Sequence, residues 1–272
     1  MDEMKMLFPG FRSKALTLSY DDGRIEDIRL VDTMAKHGIR GTFNLNSGLM
    51  PVKRSETHVG HEDVLSLYIE NGCEVALHGK MHLSLTKVSR EEGINDINSD
   101  RLAWESIVSR PVLGMAYANG VYDDDVVSYL RELGVIYSRT VISSHGFEMP
   151  RDWLRLEATC HHNDPLLFEL WDSFVSLPED EGAKMFYLWG HSYEFPIAGN
   201  WDRIERFCET AGGRGDVWYA TNGEIYYYER AFGSLIRTLD GRFATNPSSS
   251  DVYVTCGGRK TVIPAGKTAS LT

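Results

Sequence analysis

Short apolar runs alternate with amphipathic stretches along the chain up to about residue 235. Seven runs have the length and composition of buried strands, at residues 15–20, 41–45, 74–77, 114–118, 135–138, 185–189 and 217–220. Six stretches between them have helical spacing, at residues 25–36, 61–70, 89–109, 123–133, 165–175 and 201–210. Repeated βα units predict an α/β protein with a helix-covered parallel sheet, and about seven units suffice for a (β/α) barrel.

The pattern changes after residue 239. Residues 246–250 read as a loop, and two short strand-like runs follow at 252–255 and 261–263. A segment of this size is too small to fold alone. We therefore predict a barrel domain over residues 1–239 and a small β-rich C-terminal extension over residues 240–272.

Charge and composition exclude several functional classes. The 272 residues carry 28 Lys and Arg against 39 Asp and Glu, a net charge of −11. This balance argues against nucleic acid and against an anionic membrane surface as partners. No stretch approaches the ~18 apolar residues of a membrane span.

The cysteines and the first residues of the chain bear on the cellular compartment but give no information on the oligomeric state. The four cysteines are scattered without a C-x-x-C pair, as expected for reduced thiols in a cytosolic protein. The first ten residues lack the apolar core of a signal peptide. We therefore expect a cytoplasmic protein, and the sequence indicates no oligomeric state.

Residues whose side chains could take part in catalysis or metal binding follow the apolar runs. In a (β/α) barrel the active site lies at these strand ends. Asp21 and Asp22 end the first run and precede Gly23. Asp-Asp-Gly is also common in turns. However, two like charges at a strand end repel each other unless a cation compensates them.

Histidines follow two other runs. His78 and His82 come after residues 74–77, and we expect this i,i+4 pair on one face of a helical turn, suited to one metal ion. His191 follows residues 185–189. Position 194 is Glu where a nucleophile elbow through Ser192 needs Gly, so a serine hydrolase is excluded.

Another histidine pair, His161-His162, has no carboxylate or Cys at ligand spacing. We interpret it as part of a polar loop that could border a substrate cleft.

One Asp and two His are the ligand set of a catalytic metal site with open positions. A second Asp beside the ligand suits a general base, and a His from a late strand suits a general acid. Together these groups point to metal-assisted hydrolysis of an amide or ester. A non-haem iron oxygenase uses the same ligand set and is the less favoured alternative.

Three motifs, in their order and placement, resemble those of the polysaccharide deacetylases of carbohydrate esterase family four. They are Thr-x-Ser-Tyr-Asp-Asp-Gly, His-x-x-x-His and a late strand that ends in His. The resemblance spans about residues 14–235. It implies a distorted (β/α) barrel of about seven strands and removal of N-acetyl groups from an acetamido sugar or oligosaccharide. It makes Asp21 the general base and His191 the general acid. Asp22, His78 and His82 become ligands of one divalent metal ion, for which zinc is favoured over Co, Ni, Mn or Fe.

The third family motif departs from its usual form, Arg-x-Pro-x-Gly, in which the Arg pairs with the catalytic Asp. Aligned on Gly120, Ala116 stands at the Arg position. A divergent branch of the family carries an Arg on the next strand, which matches Arg139. We therefore predict that Arg139 pairs with Asp21.

Three further residues are predicted to contact the substrate. Tyr117 lies within the altered motif, Asn119 is expected beside the oxyanion, and Trp189 replaces the Leu that usually lines the acyl pocket. The altered motif also leaves a catalytically silent glycan-binding protein as an alternative.

Overall fold

The computed structural model describes residues 3–272, and its centre is a nine-stranded, mostly parallel sheet. Its strands, in chain order, are β2 (Lys14–Asp21), β3 (Gly41–Leu45), β4 (Glu74–Leu77), β5 (Gly114–Ala116), β6 (Tyr137–Ser143), β7 (Leu156–Ala158), β8 (Cys160–His161), β9 (Lys184–Gly190) and β10 (Val217–Tyr219). All seven strands predicted from the sequence are present. The α/β class is confirmed.

The spatial order of the strands is β7-β6-β5-β4-β3-β2-β9-β8, and β10 pairs with the first half of β2. β7 and β8 are separated by Thr159 alone, whose N–H donates to Tyr187 of β9. One extended segment therefore borders β6 on one side and β9 on the other. The two end strands of the sheet are therefore consecutive in the chain.

Within residues 3–272, seven α-helices accompany the strands: α1 (Asp27–Lys36), α2 (Arg90–Val108), α3 (Asp124–Glu132), α4 (Leu167–Val175), α5 (Glu194–Ala198), α6 (Trp201–Ala211) and α7 (Asn222–Gly233). Ser89 caps α2 by accepting the N–H of Glu92. The stretch predicted as a helix at 61–70 is instead a 3₁₀ turn followed by a π-helical turn, Leu65–Ile69. α7 was not predicted, although Thr221 and Glu224 form a capping box at its start.

Strand alternation divides the apolar residues between two sides of the sheet. Leu16, Leu18 and Tyr20 of β2 pack outward in the core shared with the helices. The intervening residues Ser19 and Asp21 are also buried. Since neighbouring residues of a strand point to opposite faces, these polar side chains point into the barrel.

The C-terminal segment forms five further strands that complete two small sheets. They are β11 (Ile236–Arg237), β12 (Phe243–Thr245), β13 (Val252–Cys256), β14 (Arg259–Ile263) and β15 (Thr268–Ser270). The N-terminal strand β1 (Met4–Leu7) pairs antiparallel with β13. The extension therefore shares a sheet with the start of the chain, and the boundary at residue 239/240 stays a prediction.

The four cysteines all lie in the described part of the chain, and each is buried and free. Within residues 3–272 there is no helix with the length and apolar character needed to cross a membrane.

Candidate metal centre and active site

The carboxyl ends of the parallel strands bring the predicted site residues together. Asp21 ends β2, His78 follows β4, Arg139 lies in β6 and His191 follows β9. The Nε2 atoms of His78 and His191 lie 3.7 and 3.8 Å from Asp21 Oδ2. These groups therefore converge at one end of the sheet.

Three ligand atoms have the spacing of a metal site. Asp22 Oδ1 lies 3.6 Å from His78 Nε2 and 3.7 Å from His82 Nε2, and the two imidazole nitrogens are 3.2 Å apart. Ligands at ~2.1 Å in a tetrahedral zinc site are separated by about 3.4 Å. The geometry therefore fits one divalent ion.

The tautomer of His78 also suits a ligand. Its Nδ1 lies 2.9 Å from the carbonyl oxygen of Ala116, which can only accept a hydrogen bond. The proton therefore sits on Nδ1, and the lone pair of Nε2 faces Asp22 and His82. Metal-binding histidines usually have this arrangement.

The predicted helical turn at residues 78–82 is wrong. β4 ends at Leu77, and the chain then makes a non-helical turn in which Gly79 and His82 have left-handed backbone, with φ of 77° and 54°. Asp22 also has a positive φ, 78°. Two of the three candidate ligands thus hold a backbone conformation that L residues seldom adopt, a feature that clusters at functional sites.

Asp21 is almost fully buried and is held on both sides. Arg139 Nη2 donates to Asp21 Oδ2, and Asn44 Nδ2 donates to Oδ1 at 2.8 Å. Burial by itself would raise the pKa of Asp21. However, the charge of Arg139, then those of His78 and His191, lower this pKa to about 2. Asp21 is therefore an ionised carboxylate at neutral pH.

Arg139 is itself buried, and its guanidinium lies 4.1 Å from the centre of the Trp189 ring. It reaches Asp21 from the other side of the barrel interior, since β6 and β2 are not neighbours in the sheet. The structure thus places Arg139 where the sequence expected it. Its part in catalysis remains a prediction.

Replacing Arg139 by Ala should move the acidic limb of the pH–rate profile to higher pH. The largest charge that lowers the Asp21 pKa is lost, while the burial that raises it remains. Arg139→Lys keeps the charge without the planar fork and should retain partial activity. The pH dependence of kcat/KM measures both effects.

Arg155→Ala is the matched control, because it removes an arginine that pairs with Asp124 and Asp152 outside the site. Its pH profile should equal that of the wild type. An unchanged profile in Arg139→Ala would show that Arg139 does not hold Asp21 ionised.

His191 is oriented by a residue that the sequence analysis did not select. Its Nδ1 donates to Glu194 Oε1 at 3.1 Å, which turns Nε2 towards Asp21. Burial would lower the pKa of His191, but the hydrogen bond to Glu194 and the charge of Asp21 raise it above its ordinary value. These surroundings therefore favour the protonated form of His191, the form that can donate a proton.

The pair His161-His162 also belongs to this cluster. Both Nε2 atoms lie near Glu194 Oε2, at 3.0 and 2.9 Å. Their interpretation as part of a polar loop without a carboxylate is therefore wrong, because His161 lies in β8 and the carboxylate comes from Glu194, the first residue of α5. The signal in the sequence was Glu194 itself, three residues after His191.

His161, His162 and Glu194 have the composition of a second metal site. The tautomer of His161 argues against this reading, because its Nδ1 accepts the N–H of Asn163 at 3.1 Å. The proton of a neutral His161 is therefore on Nε2, facing Glu194. We interpret the cluster as one carboxylate in contact with three imidazoles, which hold the pKa of Glu194 far below its usual range despite burial.

The three predicted substrate contacts have different surroundings. Trp189 packs beside Arg139 and His191 inside the barrel, and Asn119 is exposed at the rim, where it donates to Ser84. Tyr117 is only 1% exposed, and its hydroxyl donates to the carbonyl of Leu154. The Tyr117 side chain packs in the core between the sheet and the helices, whereas that of its neighbour Ala116 does not. The assignment of Tyr117 as a substrate contact is therefore wrong.

Asp27 anchors the loop that carries His191. Its carboxylate accepts the hydroxyls of Ser192 and, at 2.7 Å, of Tyr68. Burial raises the pKa of Asp27 to about 7. Ser192 is fully buried, in agreement with the exclusion of a serine nucleophile.

The raised pKa of Asp27 predicts a pH-dependent stability. An unfolded chain loses this proton near pH ~4, whereas the folded chain keeps it until about pH 7. The contribution of Asp27 to stability is thus present below pH ~4 and is lost as the pH rises to 7. Asp27→Asn should therefore gain stability relative to wild type between pH 5 and pH 8, as measured by urea unfolding with a chelator present.

Asp32→Asn provides the control, since Asp32 is an exposed acid on the same helix, paired with Lys36. Its stability difference from wild type should hardly change with pH. A constant difference for Asp27→Asn as well would contradict the assigned protonation of Asp27.

Comparison with known proteins agrees with this fold. Residues 10–138 match the family model described as polysaccharide deacetylase. No curated protein matches the sequence.

Three solved structures are similar over most of both chains. One, from Pseudomonas aeruginosa PAO1 and assigned as a polysaccharide deacetylase, has 15% identity and a TM-score of 0.63, and covers 82% of this chain and 93% of that one. Another with that assignment, from Mycobacterium smegmatis, has 16% identity, a TM-score of 0.61 and coverages of 88% and 98%. Puue allantoinase has 15% identity, a TM-score of 0.62 and coverages of 81% and 91%. At these identities the likeness shows the fold alone.

Proposed function

Because the chain belongs to the polysaccharide deacetylase family, which its residues 10–138 match, we propose that it hydrolyses the N-acetyl group of an acetamido sugar or oligosaccharide with the help of a divalent metal ion. The observation that carries the proposal is the convergence of Asp22, His78 and His82 beside Asp21 and His191. A carboxylate, two imidazoles and two oppositely tuned proton-transfer groups are what amide hydrolysis at a metal needs.

The metal would be held by Asp22, His78 and His82. The donor set of two imidazole nitrogens and one carboxylate oxygen favours zinc, and Co, Ni, Mn and Fe are the alternatives that metal analysis would separate. When bound, such an ion supplies Lewis-acid polarisation of the amide carbonyl and of water.

Asp21 serves as the general base. Its carboxylate is ionised and fixed in orientation by Arg139 and Asn44, so it can accept a proton from the attacking water. Because Asn44 occupies Oδ1 and Arg139 occupies Oδ2, the carboxylate has little freedom to rotate. Such fixed geometry raises the rate by reducing reorganisation during the reaction.

His191 serves as the general acid. Glu194 accepts a hydrogen bond from the Nδ1–H of His191. Nε2 is therefore the nitrogen that faces the substrate and gives its proton to the departing amine. The balanced reaction consumes one water and yields a free amine and acetate. Trp189 would border the acetyl methyl, and a backbone N–H near Asn119 would stabilise the oxyanion.

The test is acetate release from a panel of N-acetyl sugars and oligosaccharides, with and without added divalent metal. The proposal expects release that depends on metal and disappears with a chelator. Metal and glycan binding without any acetate would favour the catalytically silent glycan-binding protein. Oxygen uptake with bound iron would favour the oxygenase.

A further inference from the structure

The loop that carries both candidate histidine ligands is held through its backbone. This ligand loop, residues 78–82, begins where β4 ends at Leu77. The N–H of His78 still donates to the carbonyl of Leu45 in β3 at 3.1 Å, and the loop then continues without helix or strand structure. Buried backbone groups outside regular structure need partners from elsewhere, because leaving them unpaired is costly. The partners here are side chains of α2 and groups from the loop after β3.

Two buried carboxylates of α2 accept the N–H groups of the ligand loop. Asp100 accepts the N–H of His78 at 3.2 Å through one oxygen and the N–H of Ser47 at 2.8 Å through the other. Asp96 accepts the N–H of Met81 at 3.0 Å. Residues four apart share one face of a helix, so α2 presents both carboxylates to the loop.

The carbonyl groups of the ligand loop accept hydrogen bonds from the loop after β3. Asn46 Nδ2 donates to the carbonyls of His78 and Gly79, at 2.8 and 2.7 Å, and the N–H of Gly48 donates to the carbonyl of Lys80. Gly79 is required here, because a Cβ at this position would lie 2.7 Å from Asp96 Oδ2 and the φ is positive. Neither the α2 carboxylates nor Asn46 engages an imidazole nitrogen of His78 or His82.

We propose that Asp96 and Asp100 are positioning residues of the metal centre, which they hold in a ligand-ready conformation through the backbone of the ligand loop. The inference rests on the proposed metal site. With the N–H and carbonyl groups of the loop both hydrogen-bonded, the Nε2 atoms of His78 and His82 lie 3.2 Å apart, a spacing that suits two ligands of one ion. The loop then needs little further ordering when an ion binds, so the free-energy cost of ordering it is small. Groups that orient ligands in this way typically affect metal affinity by 10–100-fold.

The test measures zinc affinity by competition with a chelator in the purified full chain. Asp100→Ala and Asp96→Ala should each raise the dissociation constant by about 10–100-fold, although all three ligands are intact. Excess zinc should restore most of their acetate release, whereas it should not rescue His78→Ala. Such rescue separates a positioning residue from a ligand.

Glu74→Ala is the matched control. Glu74 is a half-buried carboxylate that also accepts a backbone N–H, that of Gly223, but it does not contact the ligand loop. It should lower the apo-protein Tm without changing zinc affinity. If Asp100→Ala does not fold, Asp96→Ala still tests the proposal.

Two outcomes would overturn the proposal in different ways. Wild-type zinc affinity in a folded Asp96→Ala or Asp100→Ala protein would refute the positioning role and leave the proposed function intact. Absence of binding of zinc and of Co, Ni, Mn and Fe by the wild type itself would refute both.

Discussion

Replacing His78 by Ala is expected to remove the bound metal and to reduce hydrolysis of an N-acetyl sugar to background. His78 is the ligand closest to both other candidate ligands and also contacts Asp21, so its loss leaves two ligands and disturbs the base. His82→Ala and Asp22→Ala should lose the metal as well. Metal per chain after dialysis and acetate release are the two measurements.

Asp21→Asn is the matched comparison for these ligand variants. It replaces a neighbouring carboxylate of the same motif, but the proposed role of Asp21 is proton transfer and not metal binding. This variant should keep the metal and lose most of its activity. Stoichiometric metal in His82→Ala, or loss of metal in Asp21→Asn, would contradict the assignment of ligands and base.

Replacing His191 by Ala should lower the rate on an N-acetyl sugar by ~10²–10⁴-fold, with metal content unchanged. The expected cause is loss of the proton donor to a poor leaving group, the amine. An activated ester with a good leaving group needs little protonation, so its hydrolysis should fall much less. The ratio of the two losses is the quantity to measure.

Glu194→Gln tests the same group more gently. The hydrogen bond and the charge of Glu194 raise the pKa of His191, and removing the charge should move the alkaline limb of kcat/KM to lower pH. Equal losses on amide and activated ester in His191→Ala would show that His191 orients the substrate and does not act as the acid.

The prediction of the fold succeeded where the signal was local. A buried parallel strand is an uninterrupted apolar run, and each of the seven runs forms a strand of the central sheet. β7 and β8 escaped detection because they are three and two residues long and take their stability from β6 and β9 on either side. The stretch 61–70 has helical periodicity, yet it forms a 3₁₀ turn and a π-helical turn, with Tyr68 bonded to Asp27.

The sequence by itself determined that acidic and histidine side chains follow the ends of parallel strands, and such ends lie at one edge of a sheet. Only the tertiary structure decided which of these side chains meet. Arg139 pairs with Asp21 across the barrel interior. Glu194 contacts the imidazoles of His161, His162 and His191, and side chains of α2 hold the backbone of the ligand loop. These contacts join residues far apart in the chain, so they depend on strand order and on the facing of each side chain. Periodicity and spacing describe neither property, and for the same reason they failed to show that Tyr117 turns away from the site while Ala116 faces it.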